Sequence, residues 1–232
     1  MAILISGVQI MPTVLRTVAA ALLLAFLGAC GSDPPKPKTP VPKIKYADEK
    51  VDPSVFKDDA SANRKVGADD LSLTFKCPDG KTISIMDYRG KAPVVLVVLR
   101  GIPETQGGVF CPGCLAQTGS FAANSEAFKT RGAEVLLVFP GKADRLNEFV
   151  QQAKTDAKVN TPAGLPFPIL LDVDLAACTK LGIRADLAKP STYVLDRQGN
   201  VVYAYVGENY IDRPSLKAIL GQLDKLPKAE GG

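Results

Sequence analysis

Histidine and tryptophan are both absent from the 232-residue chain. The lack of histidine removes the commonest general base and the commonest metal ligand of proteins. It therefore disfavours a Ser-His hydrolase, a Cys-His protease and a copper chaperone that depends on histidine. Net charge is also low, at +4, which is too small to indicate nucleic acid as a partner. Hydrophobic residues make up 46% of the chain, enough for one sizeable core.

Two of the five cysteines form the motif Cys111-Pro112-Gly113-Cys114. An apolar run at 94–99 and a loop rich in Gly and Pro precede the motif, and a helix-like segment follows it. The order of strand, loop, CxxC and helix is typical of a reactive dithiol set at the end of a sheet. Unpaired backbone N–H groups and a partial positive charge at a helix start stabilise a thiolate. The pattern predicts a nucleophilic Cys111 with a lowered pKa.

The other motif residues have predicted roles in the same chemistry. Cys114 lies three residues on, on the same helix face, and is predicted to resolve a mixed disulfide held on Cys111. Pro112 suits the first helical position, where its missing N–H costs nothing. Gly113 is expected to leave the backbone open to a substrate sulfur.

Two other interpretations of the CxxC stay open, namely half of a metal site and a static disulfide. Zinc needs four ligands, and Cys77 and Cys178 are isolated, with no second CxxC. We predict no metal site and no cofactor. Cys77 is interpreted as an incidental residue of a hairpin turn and Cys178 as a small buried hydrophobe. A redox role for either thiol is the lesser alternative.

The first 29 residues resemble a lipoprotein signal peptide. Arg16 precedes a short apolar stretch at 18–27, which is too short for a comfortable membrane span. The ending Leu-Gly-Ala-Cys at 27–30 resembles a bacterial lipobox, in which cleavage leaves Cys30 as a lipid-modified N-terminus. An ordinary secretory signal and an uncleaved anchor are the alternatives, and Met11 is an alternative start. The pattern predicts an extracytoplasmic protein anchored by lipid to a bacterial membrane.

Residues 30–45 are rich in Pro and Lys and are predicted to form a polyproline tether. Residues 46–68 are predicted to hold at most one loose helix, 69–226 the globular domain, and 227–232 a flexible tail. Alternating and continuous apolar patterns predict an N-terminal β-hairpin at 71–75 and 82–85. They also predict strands at 94–99, 134–139, 167–171, 191–195 and 201–206, and helices at 115–131, 144–158, 172–181 and 213–226. This order predicts an α/β fold, with a central mixed β-sheet flanked by helices.

Several of these segments resemble the AhpC/TSA redoxin family over about 69–223. They include GK at 80–81, DYRGK at 87–91, FP at 167–168, LGI at 181–183 and PSTYVLD at 190–196. The resemblance implies a thioredoxin-like fold, whose members include peroxiredoxins and TlpA-like thiol–disulfide oxidoreductases. In thioredoxin-like members the proline before the penultimate strand is cis and lies against the dithiol. The resemblance assigns that position to Pro190.

The chain departs from the peroxiredoxin pattern at one position. Peroxiredoxins have a Thr or Ser three residues before the peroxidatic cysteine, and Gly108 occupies that position here. The peroxide pocket that the resemblance implies is therefore in question. Arg100, at the end of the apolar run, is predicted to supply a positive charge near Cys111, with a surface cation as the alternative.

Three functions follow from these features. The first is a tethered thiol–disulfide oxidoreductase, in which Cys111 attacks a substrate disulfide and Cys114 resolves it. The second is a thiol peroxidase of the same fold, and the third is a non-enzymatic module that uses the CxxC as a metal ligand or fixed disulfide. The predicted partners are a protein dithiol or disulfide, or a thiol electron donor, with peroxide as the alternative substrate. The protein is also predicted to contact the membrane through its N-terminal lipid and not to bind nucleic acid.

Overall fold

A seven-stranded mixed β-sheet forms the centre of the protein. The structure is a computed structural model, and it describes residues 49–102, 108–160 and 164–227. The strand order is β2-β1-β5-β4-β3-β6-β7. The strands are β1 (Thr74–Lys76), β2 (Thr82–Ser84), β3 (Val94–Val98), β4 (Glu134–Pro140), β5 (Ile169–Asp172), β6 (Ser191–Leu195) and β7 (Val201–Val206).

The three inner strands β3, β4 and β5 are parallel, and the strands beyond them pair antiparallel. The N-terminal hairpin pairs Thr74 with Ser84 and joins the sheet beside β5. Both features confirm the predicted mixed α/β fold with an N-terminal hairpin. β6 and β7 also have the predicted bounds.

Strand β3 leads directly towards the dithiol. All five of its residues are buried, as expected of an apolar, β-branched strand that is covered on both faces. Val95 and Val97 point to one core, and Val94, Leu96 and Val98 point to the other. The sheet therefore separates two hydrophobic cores.

The helices divide between the two faces of the sheet. They are α1 (Pro112–Ala123), α2 (Ser125–Lys129), α3 (Leu146–Asp156), α4 (Ala176–Lys180) and α5 (Leu216–Leu223). Helices α1, α2, α3 and α5 contribute Leu115, Phe128, Phe149 and Ile219 to one core, so we call this side the α1 face. Helix α4 contributes Cys178 to the other core, on the α4 face.

All four predicted helices have other bounds in the structure. The helices expected at 144–158 and 172–181 are shorter, since α3 spans Leu146–Asp156 and α4 spans Ala176–Lys180. The helix expected at 115–131 is divided at Asn124 into α1 and α2, and the Asn124 side-chain amide donates to the Ser120 carbonyl. The helix expected from 213 begins only at Leu216, because the Ser215 hydroxyl caps it by accepting from the Ala218 N–H at 3.1 Å. Arg213 therefore lies in the loop before α5.

The described part of the N-terminal extension, residues 49–68, has no loose helix, and its one helical turn is a short 3₁₀ turn at Pro53–Val55. Phe56 and Ala60 are buried, and the Tyr203 hydroxyl donates to the Ala60 carbonyl at 3.0 Å. This part of the extension packs on the domain. The predicted signal peptide, the tether with Cys30, and residues 228–232 of the predicted tail lie outside the described residues. No described helix is long and apolar enough to cross a membrane.

Candidate active site

The CxxC motif occupies the start of α1, as predicted. Cys111 is the N-cap residue, Pro112 is the first helical residue, and Cys114 lies in the first turn. The sulfur-bearing residues are buried, with Cys111 5% and Cys114 1% exposed. Both cysteines are free, as are Cys77 and Cys178. The two thiols are therefore available as a reduced pair in a site largely closed to solvent.

A guanidinium lies against both sulfurs. Arg213, 1% exposed, approaches Cys114 Sγ at 3.1 Å and Cys111 Sγ at 3.8 Å through Nη2. Its Nε donates to the Tyr210 carbonyl at 2.9 Å, and its Nη1 donates to Oε1 of Gln117 on α1. Within the described part of the chain, this guanidinium donates to two neutral oxygens and two sulfurs. Because a buried cation needs an anion, this arrangement favours a thiolate.

Cys114 Sγ receives more of the contacts that stabilise a negative charge than Cys111 Sγ does. The Arg100 backbone N–H donates to Cys114 Sγ at 3.3 Å. Burial opposes ionisation, but the hydrogen bond from the Cys111 thiol, the charge of Arg213 and the Arg100 N–H together lower the pKa of Cys114 to about 6. Burial and the neighbouring Cys114 raise the pKa of Cys111. The contacts of Arg213 and the Arg100 N–H therefore favour the negative charge of the reduced pair on Cys114.

Burial and Cys114 shift the pKa of Cys111 upwards, opposite to the predicted lowering. Cys111 caps the helix through its backbone position, without a hydrogen bond from a helix N–H to its side chain. The guanidinium also lies nearer to Cys114 than to Cys111. A helix start alone does not fix which of two neighbouring sulfurs ionises.

The structure gives Arg100 and Gly113 different roles from those predicted. Arg100 contacts the dithiol through its backbone N–H, and the cation on the sulfurs is Arg213. Gly113 does not open the backbone to a substrate. A Cβ at this position would lie 1.9 Å from the Tyr210 carbonyl oxygen, so glycine is required there because the loop before α5 packs directly on the helix start.

Pro190 is buried directly before β6. Its carbonyl accepts from the Gly207 N–H at 2.8 Å. Of the described residues, those that hydrogen-bond to the sulfurs are Arg100, Arg213 and the two cysteines themselves. The cis bond and the substrate contact that the resemblance assigns to Pro190 stay predictions.

The other two thiols lie in the core of the α4 face. Cys77 follows β1 and begins the turn of the N-terminal hairpin, as predicted, and Cys178 is fully buried in α4. The sheet separates both from the dithiol, so the alternative in which Cys178 resolves Cys111 is wrong for this arrangement. Among the described residues, no cluster of three or more His, Cys, Asp or Glu side chains could hold a metal ion.

Sequence reasoning missed Arg213 and Gln117. Gln117 had a usable signal, because it lies three residues after Cys114 on a predicted helix and therefore on the same face. Its Nε2 is buried and has no hydrogen-bond partner among the described residues. Arg213 had no local signal, because Asp-Arg-Pro at 212–214 is equally typical of an exposed helix start.

A mixed sheet flanked by helices, with a CxxC pair at the start of a helix, defines the class of thioredoxin-like proteins. Within that class, the chain belongs to the AhpC/TSA family, whose model matches residues 66–204. Chloroplastic peroxiredoxin Q of Triticum aestivum is 33% identical over 138 residues, which cover 58% of this chain and 55% of that protein. The protein of the same name from Suaeda salsa is 32% identical over 157 residues, covering 66% and 65%.

Solved structures show the same fold. A mutant of peroxiredoxin 6 of Arenicola marina has a TM-score of 0.56 at 17% identity, covering 66% of this chain and 69% of that one. A peroxidoxin from Mycobacterium tuberculosis has a TM-score of 0.52 at 15% identity, covering 72% and 98%. The chain spans little more than half the length of the first curated relatives. The family match ends before Arg213.

Proposed function

We propose that this protein is a thiol peroxidase that reduces hydroperoxides with the Cys111–Cys114 dithiol. The observation that carries this proposal is the burial of both sulfurs beneath the Arg213 guanidinium. With only 5% of Cys111 exposed, a small oxidant reaches the sulfur more readily than the disulfide of a folded protein. Relatives named as peroxiredoxins support the same substrate class.

In the proposed reaction, Cys111 attacks and Cys114 acts first as base and then as resolving thiol. The Cys114 thiolate takes the proton of the Cys111 thiol as Cys111 Sγ attacks the distal oxygen of the hydroperoxide. The O–O bond breaks, Cys111 becomes a sulfenic acid, and the alkoxide or hydroxide takes up a proton from solvent and leaves as alcohol or water. Cys114 Sγ then attacks Cys111 Sγ, and water leaves as the disulfide forms. A thiol donor returns two electrons and two protons.

Arg213 and Gln117 would support the oxidant in place of the missing hydroxyl. Gly108 has no side chain, and its carbonyl accepts a hydrogen bond from Arg145. Gln117 directs its oxygen to Arg213, which leaves its Nε2 as a buried donor without a partner. Such a donor is costly when unpaired, and it is suited to an oxygen that arrives with substrate.

A stopped-flow measurement tests the proposed function. The reduced protein should consume hydrogen peroxide at least about a hundredfold faster than free cysteine, the lower end of the contribution of a positioned acid or base. Cys111→Ser should remove this activity, and Cys178→Ser should preserve it. A rate no better than that of free cysteine would exclude the peroxidase.

Thiol–disulfide exchange is the second candidate, and the position of both thiols in one helical turn favours it. A disulfide attacked by Cys111 would be resolved by Cys114 without movement of the backbone. Reduction of insulin or glutathione disulfide tests this activity. Fast exchange together with slow peroxide consumption would make exchange the main function.

We also propose that Cys30 carries a lipid and holds the domain outside the cytoplasm. The support is the apolar stretch at 18–27 followed by Leu-Gly-Ala-Cys at 27–30. In a bacterial host, labelled palmitate should enter the unsubstituted chain but not Cys30→Ser. Equal labelling of the two chains would contradict the proposal.

A further inference from the structure

The loop that carries Arg213 is tied to the N-terminal extension. We call residues 207–215 the Arg213 loop and residues 52–60 the N-terminal clamp. The Lys57 N–H donates to the Arg213 carbonyl at 2.9 Å, and the Ser215 N–H donates to the Lys57 carbonyl at 2.8 Å. These two bonds form an isolated parallel bridge between Lys57 and Pro214. The clamp thus holds the backbone on both sides of Pro214, at the Arg213 carbonyl and the Ser215 N–H.

Side chains strengthen this connection. Lys57 Nζ lies 2.7 Å from Asp212 Oδ1 and donates to the Tyr205 hydroxyl at 3.0 Å. The Tyr205 hydroxyl in turn donates to Asp212 Oδ1 at 2.6 Å, and the Glu208 N–H donates to Asp212 Oδ2 at 2.9 Å. Lys57 therefore belongs to a closed network whose centre, Asp212, is the residue next to Arg213.

A second connection lies at the other end of the loop. Asp58 accepts from the Ser215 hydroxyl at 2.6 Å and pairs with Lys217 at 3.0 Å. Ser215 is the N-cap of α5. The clamp thus contacts the loop on the residues immediately before and after Arg213 and Pro214.

The clamp and the Arg213 loop share one further property. Both lie outside residues 66–204, the part of the chain that the family model matches. The family core supplies the dithiol on α1, and the two flanking segments together supply the cation against it. The N-terminal clamp, although distant in sequence from the cysteines, therefore helps to hold the cation that stabilises their negative charge.

We propose that the N-terminal clamp is a positioning element for the dithiol, with Lys57 as the positioning residue that acts through Asp212 to hold Arg213 against the sulfurs. The proposal rests on the dithiol being the reactive centre, but not on the identity of its oxidant. The attraction between a guanidinium and a thiolate falls as their separation grows. Release of the loop would therefore weaken the charge stabilisation without removing any group that touches sulfur.

The test is a pH titration of thiolate absorbance in the reduced full-length chain. In Lys57→Met, the ionisation constant of Cys114 should fall about tenfold, so that its pKa rises by about one unit. This change lies at the lower end of the effect of a nearby opposite charge. Lys57→Arg should restore the titration. Lys50→Met is the matched control, because Lys50 belongs to the same extension but lies outside the clamp and pairs with Asp156 on α3 rather than with a residue of the Arg213 loop.

Tyr205→Phe provides an independent variant, since it keeps the buried ring and removes only the hydroxyl between Lys57 and Asp212. It should shift the titration in the same direction as Lys57→Met. The proposal is overturned if both variants titrate like the unsubstituted chain, or if Lys50→Met shifts equally. Because the titration needs no oxidant, a protein that fails to reduce peroxide can still support or overturn the role of the clamp.

Discussion

The two faces of the sheet each bury a cysteine in a helix, and the two thiols differ in their neighbouring charge. Cys114 on the α1 face is 1% exposed, and Cys178 on the α4 face is 0% exposed. Cys114 lies against the Arg213 guanidinium at 3.1 Å. Cys178 lies next to the Asp172 carboxylate, which accepts from the Cys178 backbone N–H at 2.9 Å.

This difference in charge separates two thiols of nearly equal burial. Burial raises the pKa of Cys178, and Asp172 raises it further. Burial also opposes ionisation of Cys114, but the hydrogen bond from Cys111 and the charge of Arg213 lower its pKa to about 6. The sign of the adjacent charge, and not depth in the core, therefore decides which of the two thiols ionises.

Removal of the cation should give the largest effect and make Cys114 resemble Cys178. In Arg213→Gln, we expect the ionisation constant of Cys114 to fall about a hundredfold, because a nearby opposite charge is worth 1–3 pKa units. Titration of thiolate absorbance in the reduced protein measures this change. Arg131→Gln is the control, because Arg131 pairs with Asp224 away from the sulfurs. A shift as small as that of the control would contradict the role of Arg213.

On the α4 face, removal of the charge should change stability rather than redox chemistry. Asp172 accepts from the N–H groups of Ala177 and Cys178 at the start of α4. Asp172→Asn should lower the free energy of unfolding by about 1–3 kcal/mol, because one buried N–H loses its acceptor. Urea unfolding measures this loss.

The peroxide rate of Asp172→Asn should stay within about twofold of that of the unsubstituted chain. Asp174→Asn is the matched control, since Asp174 is exposed and its carboxylate makes a longer contact with the Ala176 N–H, at 3.3 Å. A large loss of peroxide activity in Asp172→Asn would show that the two faces are coupled.

The reduced protein should also reveal the Cys114 charge through the pH dependence of its stability. The folded pKa of Cys114, about 6, lies below its usual value of 9.0. The ionised Cys114 therefore adds no stability below pH 6. Its contribution grows as pH rises from 6 to 9 and is complete above pH 9. Relative to Cys114→Ser, the free energy of unfolding should rise by at most about 1.4 kcal/mol per pH unit in this window.

Urea unfolding of the two reduced proteins at pH 6 and pH 8 measures this difference. Cys178→Ser serves as the comparison, because no rise relative to this variant is expected in the same window. A pH-independent difference between the unsubstituted chain and Cys114→Ser would contradict a thiolate at that position.

The smallest effect should come from Gln117. Its Oε1 accepts from Arg213 and its Nε2 is the donor proposed to bind the oxidant, so Gln117→Leu removes both groups and keeps the cation on the sulfurs. The peroxide rate should fall by at most about tenfold, since a typical hydrogen bond, such as the one proposed from Gln117 Nε2 to the oxidant, is worth about 0.5–1.5 kcal/mol. Thr118→Val is the neighbouring control, because the buried Thr118 hydroxyl has no hydrogen-bond partner within the part of the chain that the structure describes. Equal effects of the two changes would leave Gln117 without a specific role.

The sequence predicted those features that depend on nearby residues. The apolar run at 94–99 predicted β3 because every residue of that strand faces a core. The CxxC predicted the start of α1 because Pro112 favours the first helical position. Arg213 could not be predicted in this way, because 99 residues separate it from Cys114 and its position depends on the loop before α5. The function of Gly113 was missed for the same reason, since the carbonyl that excludes a Cβ belongs to Tyr210.

One titration tests the central claim most directly. The thiolate absorbance of the reduced protein should titrate with a pKa near 6. This transition should remain in Cys178→Ser and vanish in Cys114→Ser. A first transition near the usual thiol value of 9.0, or one near 6 that survives in Cys114→Ser, would contradict a Cys114 thiolate held by Arg213.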